Sequence, residues 1–397
     1  MSQILHIYSL SSAFIEYSYS LHDKFMKIFF LSFHGFNAHN GISKKKLAQI
    51  KGLKESGCSV VNCYYTVNPE NGDRLWMADD KVLANLGSGI WAKIRKRIDY
   101  TPIRNYIKKQ QIELVYMRSE HNASPFLIRF VKQLNSLGVK TVMEIPTYPY
   151  DQEYITFESK CFLFVDRMFR KRLAKELHAI VTFSNQKKIF GQRTIQISNG
   201  IDFESLKLKR NQNRVDELHL IGVAEIHYWH GFDRVVAGLA DYYSRGPVDC
   251  RVYFHIVGDF SGEREKNEIL PLIEKFHLEK FVILYGSLFG DDLDEVFDRA
   301  DIGIGSLARH RSNITFIKTL KNREYAARGI PFIYSETDTD FENMPYIQKV
   351  PADESPVDIK KIIESYFLIS ETPEQIRNSV CHLSWRSQMQ KVIDSIA

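Results

Sequence analysis

Twice along this chain, short apolar runs alternate with stretches of helical spacing, and that alternation restricts the fold more than any other property. Runs at 27–33, 58–64, 112–117, 140–145, 179–183 and 194–198 are separated by helical patterns near 42–56, 87–110, 125–137 and 160–177. A second cycle places runs at 218–224, 252–257, 281–285, 301–306 and 331–335. Strand and helix in regular turn predict parallel sheets covered on both faces. Between the cycles lies the turn-forming cluster Ser198-Asn199-Gly200-Ile201-Asp202. The charge changes sign at the same place: residues 1–200 hold 29 Lys and Arg against 16 Asp and Glu, and the rest hold 24 against 32. With 397 residues the chain has room for two separate cores. The expectation is an α/β protein of two domains, 26–200 and 201–383, with a final helix over 384–397.

Several classes fall away. The five cysteines are odd in number, scattered and without a CxxC pair, which argues against a disulfide framework or a structural zinc and fits a reducing cytoplasm. No apolar run approaches the roughly 18 residues needed to span a bilayer. Residues 1–25 lack a basic start and a small-residue cleavage site, so no secretory signal is expected there. Met26 to Ser32 reads as the opening of the first strand, and 1–25 as an N-terminal extension or the product of an upstream start. The basic first half points to a polyanionic partner, either nucleic acid or an anionic membrane surface. Nucleic acid is the weaker of the two, because no RNA- or DNA-reading motif accompanies the charge.

The most informative stretch is Ala300 to Ser335, ADIGIGSLARHRSNITFIKTLKNREYAARGIPFIYS. A short strand broken by Gly303 and Gly305 leads into a basic loop, Arg309-His310-Arg311. A helix carrying Lys321 and Glu324 follows, closes on Gly329, and gives way to Pro331 and a new strand. Such units set a loop and a helix N-terminus at the carboxyl edge of a parallel sheet, where anions bind. A cation and a carboxylate three apart suit a ligand with both phosphates and hydroxyls, such as a nucleotide sugar.

The run from Leu320 to Ser335, preceded by Gly305-Ser306-Leu307 and the His310-Arg311 loop, resembles the donor-site helix of retaining glycosyltransferases of family 4. The likeness is to the subgroup that builds bacterial surface polysaccharides. It implies a GT-B fold, two Rossmann-like domains facing a cleft, with the first domain for the acceptor and the second for the donor. The last helix, with Trp385, would pack back on the first domain. The resemblance implies that Glu324 holds the donor ribose and Lys321 its diphosphate. The competing readings are a surface pair of Glu324 with Arg328 and a solvated lysine. Arg323 reads as structural. At Phe316 the wider family carries a sugar-contacting Glu, which leaves the donor sugar open; His310 or Arg311 could cover it.

Other segments resemble the same family. In Glu225 to Asp233, Gly231 would let backbone approach the diphosphate and His230 would stand where other members carry a Lys. Gly258-Asp259, at a strand end, would line the nucleotide pocket, as would Ser306. His121 would face the cleft from the first domain, against a reading in which Asn122 or Ser124 simply caps a helix. Glu144 to Tyr150, reading EIPTYPY, matches a subgroup signature, so Glu144 and Tyr148 are acceptor-side candidates or parts of a fixed turn. Gly41 joins them at the end of the Gly- and Asn-rich loop from His34.

The implied activity is transfer from a nucleotide-diphosphate sugar to a glycan or lipid-linked acceptor, with no cofactor and no metal, at the inner face of the cytoplasmic membrane. A nucleotide-sugar epimerase and a donor-binding subunit without catalysis remain as alternatives. Trp91 to Ile98 and Phe169 to Lys175 set cations beside apolar residues at helical spacing, as either a membrane-facing surface or two solvated helix faces.

Overall fold

The computed structural model describes residues 25–36, 41–151, 154, 156–210 and 216–396. Apart from Phe25, the expected N-terminal extension lies outside the described residues, as does 37–40 of the His34–Gly41 loop.

The first half supplies strands β1 (Lys27–Ser32), β2 (Ser59–Val67), β3 (Arg74–Ala78), β4 (Lys81–Asn85), β5 (Leu114–Arg118), β6 (Lys140–Ile145), β7 (Ala179–Thr182), β8 (Lys188–Ile189) and β9 (Gln192–Gln196). They form one sheet in the order β4-β3-β2-β1-β5-β6-β7-β9-β8. Its helices are α1 (Gly41–Glu55), α2 (Gly89–Ile98), α3 (Thr101–Gln110), α4 (Pro125–Ser136) and α5 (Phe157–Glu176). The central strands are apolar on both faces because both faces are covered. Phe29, Leu31, Val115 and Met117 pack under α2 to α5, and Ile28, Phe30, Leu114 and Tyr116 pack on the side of α1.

The second half supplies β10 (Glu217–Val223), β11 (Arg251–Val257), β12 (Val282–Gly286), β13 (Ile302–Ile304), β14 (Phe332–Tyr334) and β15 (Ile347–Lys349). This sheet is parallel throughout, in the order β12-β11-β10-β13-β14-β15. Helices α6 (Phe232–Ser244), α7 (Glu263–Lys275), α8 (Gly290–Arg299), α9 (Leu320–Ala327), α10 (Ile359–Tyr366) and α11 (Pro373–Ser379) flank it. The order reverses between β10 and β13, as it does between β1 and β5 in the first sheet. Ligands of doubly wound sheets settle outside the carboxyl ends of the strands at such reversals.

The last helix, α12 (Trp385–Asp394), lies against α1 and buries Trp385, Met389 and Val392 with the core of the first sheet. Its entry runs beside the earlier crossing: the Ile201 N–H donates to the Leu383 carbonyl (2.8 Å), and the Trp385 N–H donates to that of Ile201 (3.2 Å). A Cβ on Gly200 would collide with the Trp385 ring, so glycine lets the two passages of chain touch.

Two sequence expectations change. The helix expected over 87–110 is α2 and α3, broken at Asp99-Tyr100, where the Asp99 carboxylate accepts the Thr101 N–H (3.0 Å) and Pro102 starts a new first turn. Residues 74–85, assigned no element, form an antiparallel hairpin that seats Trp76 in the core. Among the described residues no helix is long and apolar enough to cross a membrane.

Candidate functional site

The second sheet's reversal point is lined by three strand ends. Beyond β10 a single 3₁₀ turn, Tyr228–His230, runs into Gly231 with φ +69°, and α6 begins. A Cβ there would come within 2.8 Å of Leu307 Cβ, so glycine allows the Ser306–Ala308 loop after β13 to close on the helix start. The Leu307 N–H ties that closure to the His230 carbonyl (3.1 Å). Beyond β11, Gly258 at φ +127° passes so close to the Ala224 carbonyl that no side chain fits. Asp259 beside it is exposed and accepts from Ser287 Oγ (2.6 Å).

Around the start of α9 and in the loop after β13, buried polar atoms make no hydrogen bond among the described residues. Lys321 Nζ is buried, lies 5.4 Å over the Phe232 ring and makes no hydrogen bond among the described residues. Ser306 Oγ and Thr319 Oγ1 are likewise buried and unsatisfied. Burial, with Arg309 nearby, pulls the Lys321 pKa down to about 7. Burial also holds His230 well below the ordinary histidine range, with Lys321 and Arg309 adding to the shift. Its Nδ1 accepts the His227 N–H (3.1 Å), so the ring is neutral and oriented. Arg309 extends over the Trp229 ring at 5.1 Å. Arg309 is named from the sequence only as part of the basic loop, and Trp229 and Thr319 are given no role there; the pairing of a basic loop with the aromatic Tyr228-Trp229 turn is the available sign.

Glu324 points elsewhere. Its Oε1 accepts from Arg328 (3.0 Å), which also holds Asp294 (2.8 Å), so the pair with Arg328 forms; Oε2 makes no hydrogen bond among the described residues. His310 leans on Glu354 through Nε2 (2.8 Å), and its buried Nδ1 lies 3.6 Å from Glu336 Oε1 without a hydrogen bond. Arg311 departs from the expectation of a direct donor contact. Its guanidinium is taken up by Asp233 (2.7 Å), Glu354 and the Tyr228 carbonyl (2.7 Å), which pins the basic loop to the start of α6. Arg323 is buried in a cluster with Asp338, Asp340 and Ser198 that joins α9 to the crossing between the sheets. Phe316 is half-buried, with Lys318 Nζ 6.0 Å from its ring.

Across the cleft, His121 adopts φ +53°, unusual for a residue with a side chain, and its ring stacks on Tyr150 at 3.7 Å. Its Nδ1 meets the Tyr154 hydroxyl at 2.6 Å, while Nε2 is buried and unsatisfied. Burial, with Arg118 close by, lowers its pKa to about 4, so the imidazole is neutral. Tyr148 packs edge-on against Phe190 (5.6 Å). Gly41 opens α1 in free space.

Glu144 differs from an acceptor contact. It is fully buried and receives Arg118 (2.7 Å), Tyr116, Gln49 and, at 3.4 Å, Lys45. Burial opposes its charge, yet Lys45, Arg118 and the two hydrogen-bond donors more than offset that, and its pKa lies below the usual range. Its carboxylate holds the Lys45 and Arg118 cations together at the end of β6.

No protein-family model matches the sequence, and no curated protein matches it. Solved structures superpose over nearly the whole chain. Sucrose-phosphate synthase from Thermosynechococcus elongatus aligns at TM-score 0.64 and 14% identity, covering 93% of this chain and 98% of that one. The catalytic domain of starch synthase IV from Arabidopsis thaliana, bound to ADP and acarbose, aligns at 0.63 and 12%, covering 93% and 98%. The Anabaena protein HepE in complex with UDP aligns at 0.57 and 15%, covering 94% and 99%. The fold is GT-B. The two reversal points, at β1/β5 and β10/β13, belong to the two domains that face the cleft of that fold.

Proposed function

We propose that the chain is a retaining glycosyltransferase that draws a sugar from a nucleoside-diphosphate donor. The observation that carries this reading is Lys321 at the start of α9, whose Nζ is buried without a hydrogen bond among the described residues, as are Thr319 Oγ1 at the cap of that helix and Ser306 Oγ in the loop after β13. An ammonium in such a place costs free energy unless an anion joins it. A diphosphate supplies that charge, and Arg309 and the α9 N-terminus add to the field that stabilises it as a leaving group. Glu324 Oε2 is free to accept from the ribose hydroxyls, with Arg328 fixing the carboxylate.

Transfer with retention follows when the acceptor hydroxyl attacks the anomeric carbon on the face the diphosphate leaves. The carbon–oxygen bond to phosphate breaks, the new glycosidic bond forms, and the hydroxyl proton passes to the departing phosphate oxygen. His121, neutral and with Nε2 making no hydrogen bond among the described residues, would orient a sugar hydroxyl on the acceptor side. The acceptor is a glycan or lipid-linked glycan of bacterial polysaccharide assembly, met at the inner face of the cytoplasmic membrane.

Calorimetry with UDP, GDP, dTDP and ADP tests the site. Lys321→Ala and Glu324→Ala should each weaken the preferred nucleotide by about 1.5–3 kcal/mol, as for hydrogen bonds to charged groups. Parent-like affinity in both variants removes the assignment. Mass spectrometry then separates a new glycoside formed with added acceptor from a donor epimerised alone, and turnover by the parent excludes a non-catalytic subunit.

A further inference from the structure

Helices α2 and α5 carry apolar stripes that face away from the protein. On α2, Ile90, Ile94 and Ile98 recur every four residues and Trp91 lies beside the first. All are exposed, Trp91 by 76%, while Ala92 on the opposite side is buried. On α5, Phe157, Phe164, Val165 and Met168 share one face, with Phe157 exposed by 86% and Phe164 by 64%. Leu163, Leu173 and Ala174 on the reverse face enter the core. The two helices adjoin, because the Arg97 guanidinium stacks on the Phe162 ring at 4.4 Å. Monomeric proteins seldom leave an apolar surface of this extent uncovered.

The chemistry of the surroundings says what covers it. The two helices hold ten Lys and Arg against three carboxylates, and one of those, Asp166, is buried on Tyr150 and the Ala123 N–H. Lys171, Arg172 and Lys175 continue the outward face of α5 beyond Met168, and Lys93 and Arg95 flank that of α2. An outward apolar stripe edged by cations fits the boundary between headgroups and acyl chains of an anionic bilayer. Not every cation belongs: Lys96 turns inward to Glu120 (3.6 Å) and the Tyr65 ring, and Arg170 is held by Asp151 (2.6 Å).

We infer that α2 and α5 together form a surface that docks on an anionic membrane, with Trp91, Phe157 and Phe164 inserted into the interface. The surface borders the His121 wall of the cleft. Glu120, which holds Lys96, follows the carboxyl end of β5, and Phe157 follows the Tyr148–Tyr154 loop beyond β6. Docking therefore brings that wall to the lipid. This inference is independent of sugar transfer, since vesicle binding and nucleotide binding are measured separately and either can fail alone.

Co-sedimentation of the full chain with vesicles is the test. Binding is expected to phosphatidylcholine vesicles containing phosphatidylglycerol, and should fade at high salt. Lys93→Gln, Arg95→Gln, Lys171→Gln and Arg172→Gln should each lower the partition constant about fivefold at low salt. Trp91→Ser and Phe164→Ser should each lower it on the order of tenfold, with the fold preserved because both side chains are exposed. Brominated acyl chains should quench tryptophan emission in the parent and lose that extra quenching in Trp91→Phe. Failure to bind anionic vesicles, equal binding to neutral ones, or binding unchanged in the Ser variants overturns the inference. A dimer in sedimentation velocity that dissociates in Trp91→Ser, without vesicle binding, also overturns it and assigns the surface to a second copy.

Discussion

Lys321 sits where a lysine is least stable, its ammonium buried and without a hydrogen bond among the described residues. Its pKa of about 7 in the fold lies below the 10.5 it takes in the open chain, so between those values the unfolded chain binds more protons. The stability contributed by this group therefore rises with pH from 7 towards 10.5, and below 7 the charged form opposes folding. Lys321→Met should stabilise the nucleotide-free protein at pH 7 by about 1–3 kcal/mol, the cost of an unsatisfied buried polar group. It should also abolish the melting shift that nucleotide produces. Binding carries its own signature. A diphosphate holds the ammonium charged, so above pH 7 the complex takes up a proton, and affinity should fall by up to about tenfold per pH unit. Calorimetry in buffers of different ionisation enthalpy reads this directly: uptake near one proton at pH 8, little at pH 6, none in Lys321→Met. Equal uptake in parent and variant would assign the titration to another group. The sequence marked Lys321 and Glu324 by their spacing, but spacing does not carry burial. Lys321 turns to the Phe232 ring, 89 positions back in the sequence, while Glu324 meets Arg328 one turn on, and only the folded chain brings the first of these contacts about.

At the scale of elements, the site depends on where glycine lets loops meet. Gly231 is left-handed and touches the loop after β13, so Gly231→Ala combines backbone strain of about 1–2 kcal/mol with a displaced Leu307. The expected outcome is a nucleotide affinity reduced more than the fall in stability, read by calorimetry beside a thermal melt; a loss of stability alone would detach the loop from the site. The parallel cores were legible because β1 and β5 read as near-continuous apolar runs and the interiors of β10 and β11 are interrupted only by His219 and His255. The β3–β4 hairpin was not, since its alternation is short and its turn, Asp79-Asp80, lacks glycine. The α2–α3 break was hidden because Pro102 falls in the first turn of the second helix, where proline does not disturb the pattern. Arg311 was legible as a basic loop residue, yet its carboxylate partners Asp233 and Glu354 lie 78 and 43 positions away.

For the whole molecule, α12 joins the end of the chain to the first sheet. Trp385 lies between Gly52 of α1 and Gly200 at the crossing, where a Cβ on Gly52 would approach its backbone within 2.7 Å. Trp385→Ala should cost the first sheet's unit about 3–5 kcal/mol, the range for a buried tryptophan. Nucleotide affinity, which the proposed site assigns to the second sheet, should stay within about twofold; a thermal melt with and without nucleotide separates the two effects. The arrangement at Ile201 and Ser384 has a mechanical meaning as well. Two passages of chain held side by side act as the paired pins of a door, which admit swing about one axis and resist twist. Any movement of one sheet against the other is then expected to follow a single coordinate. Fluorophores placed on α1 and α9 should report it as one distance that moves between two values, and a third intermediate distance on nucleotide binding would show that the pins are loose.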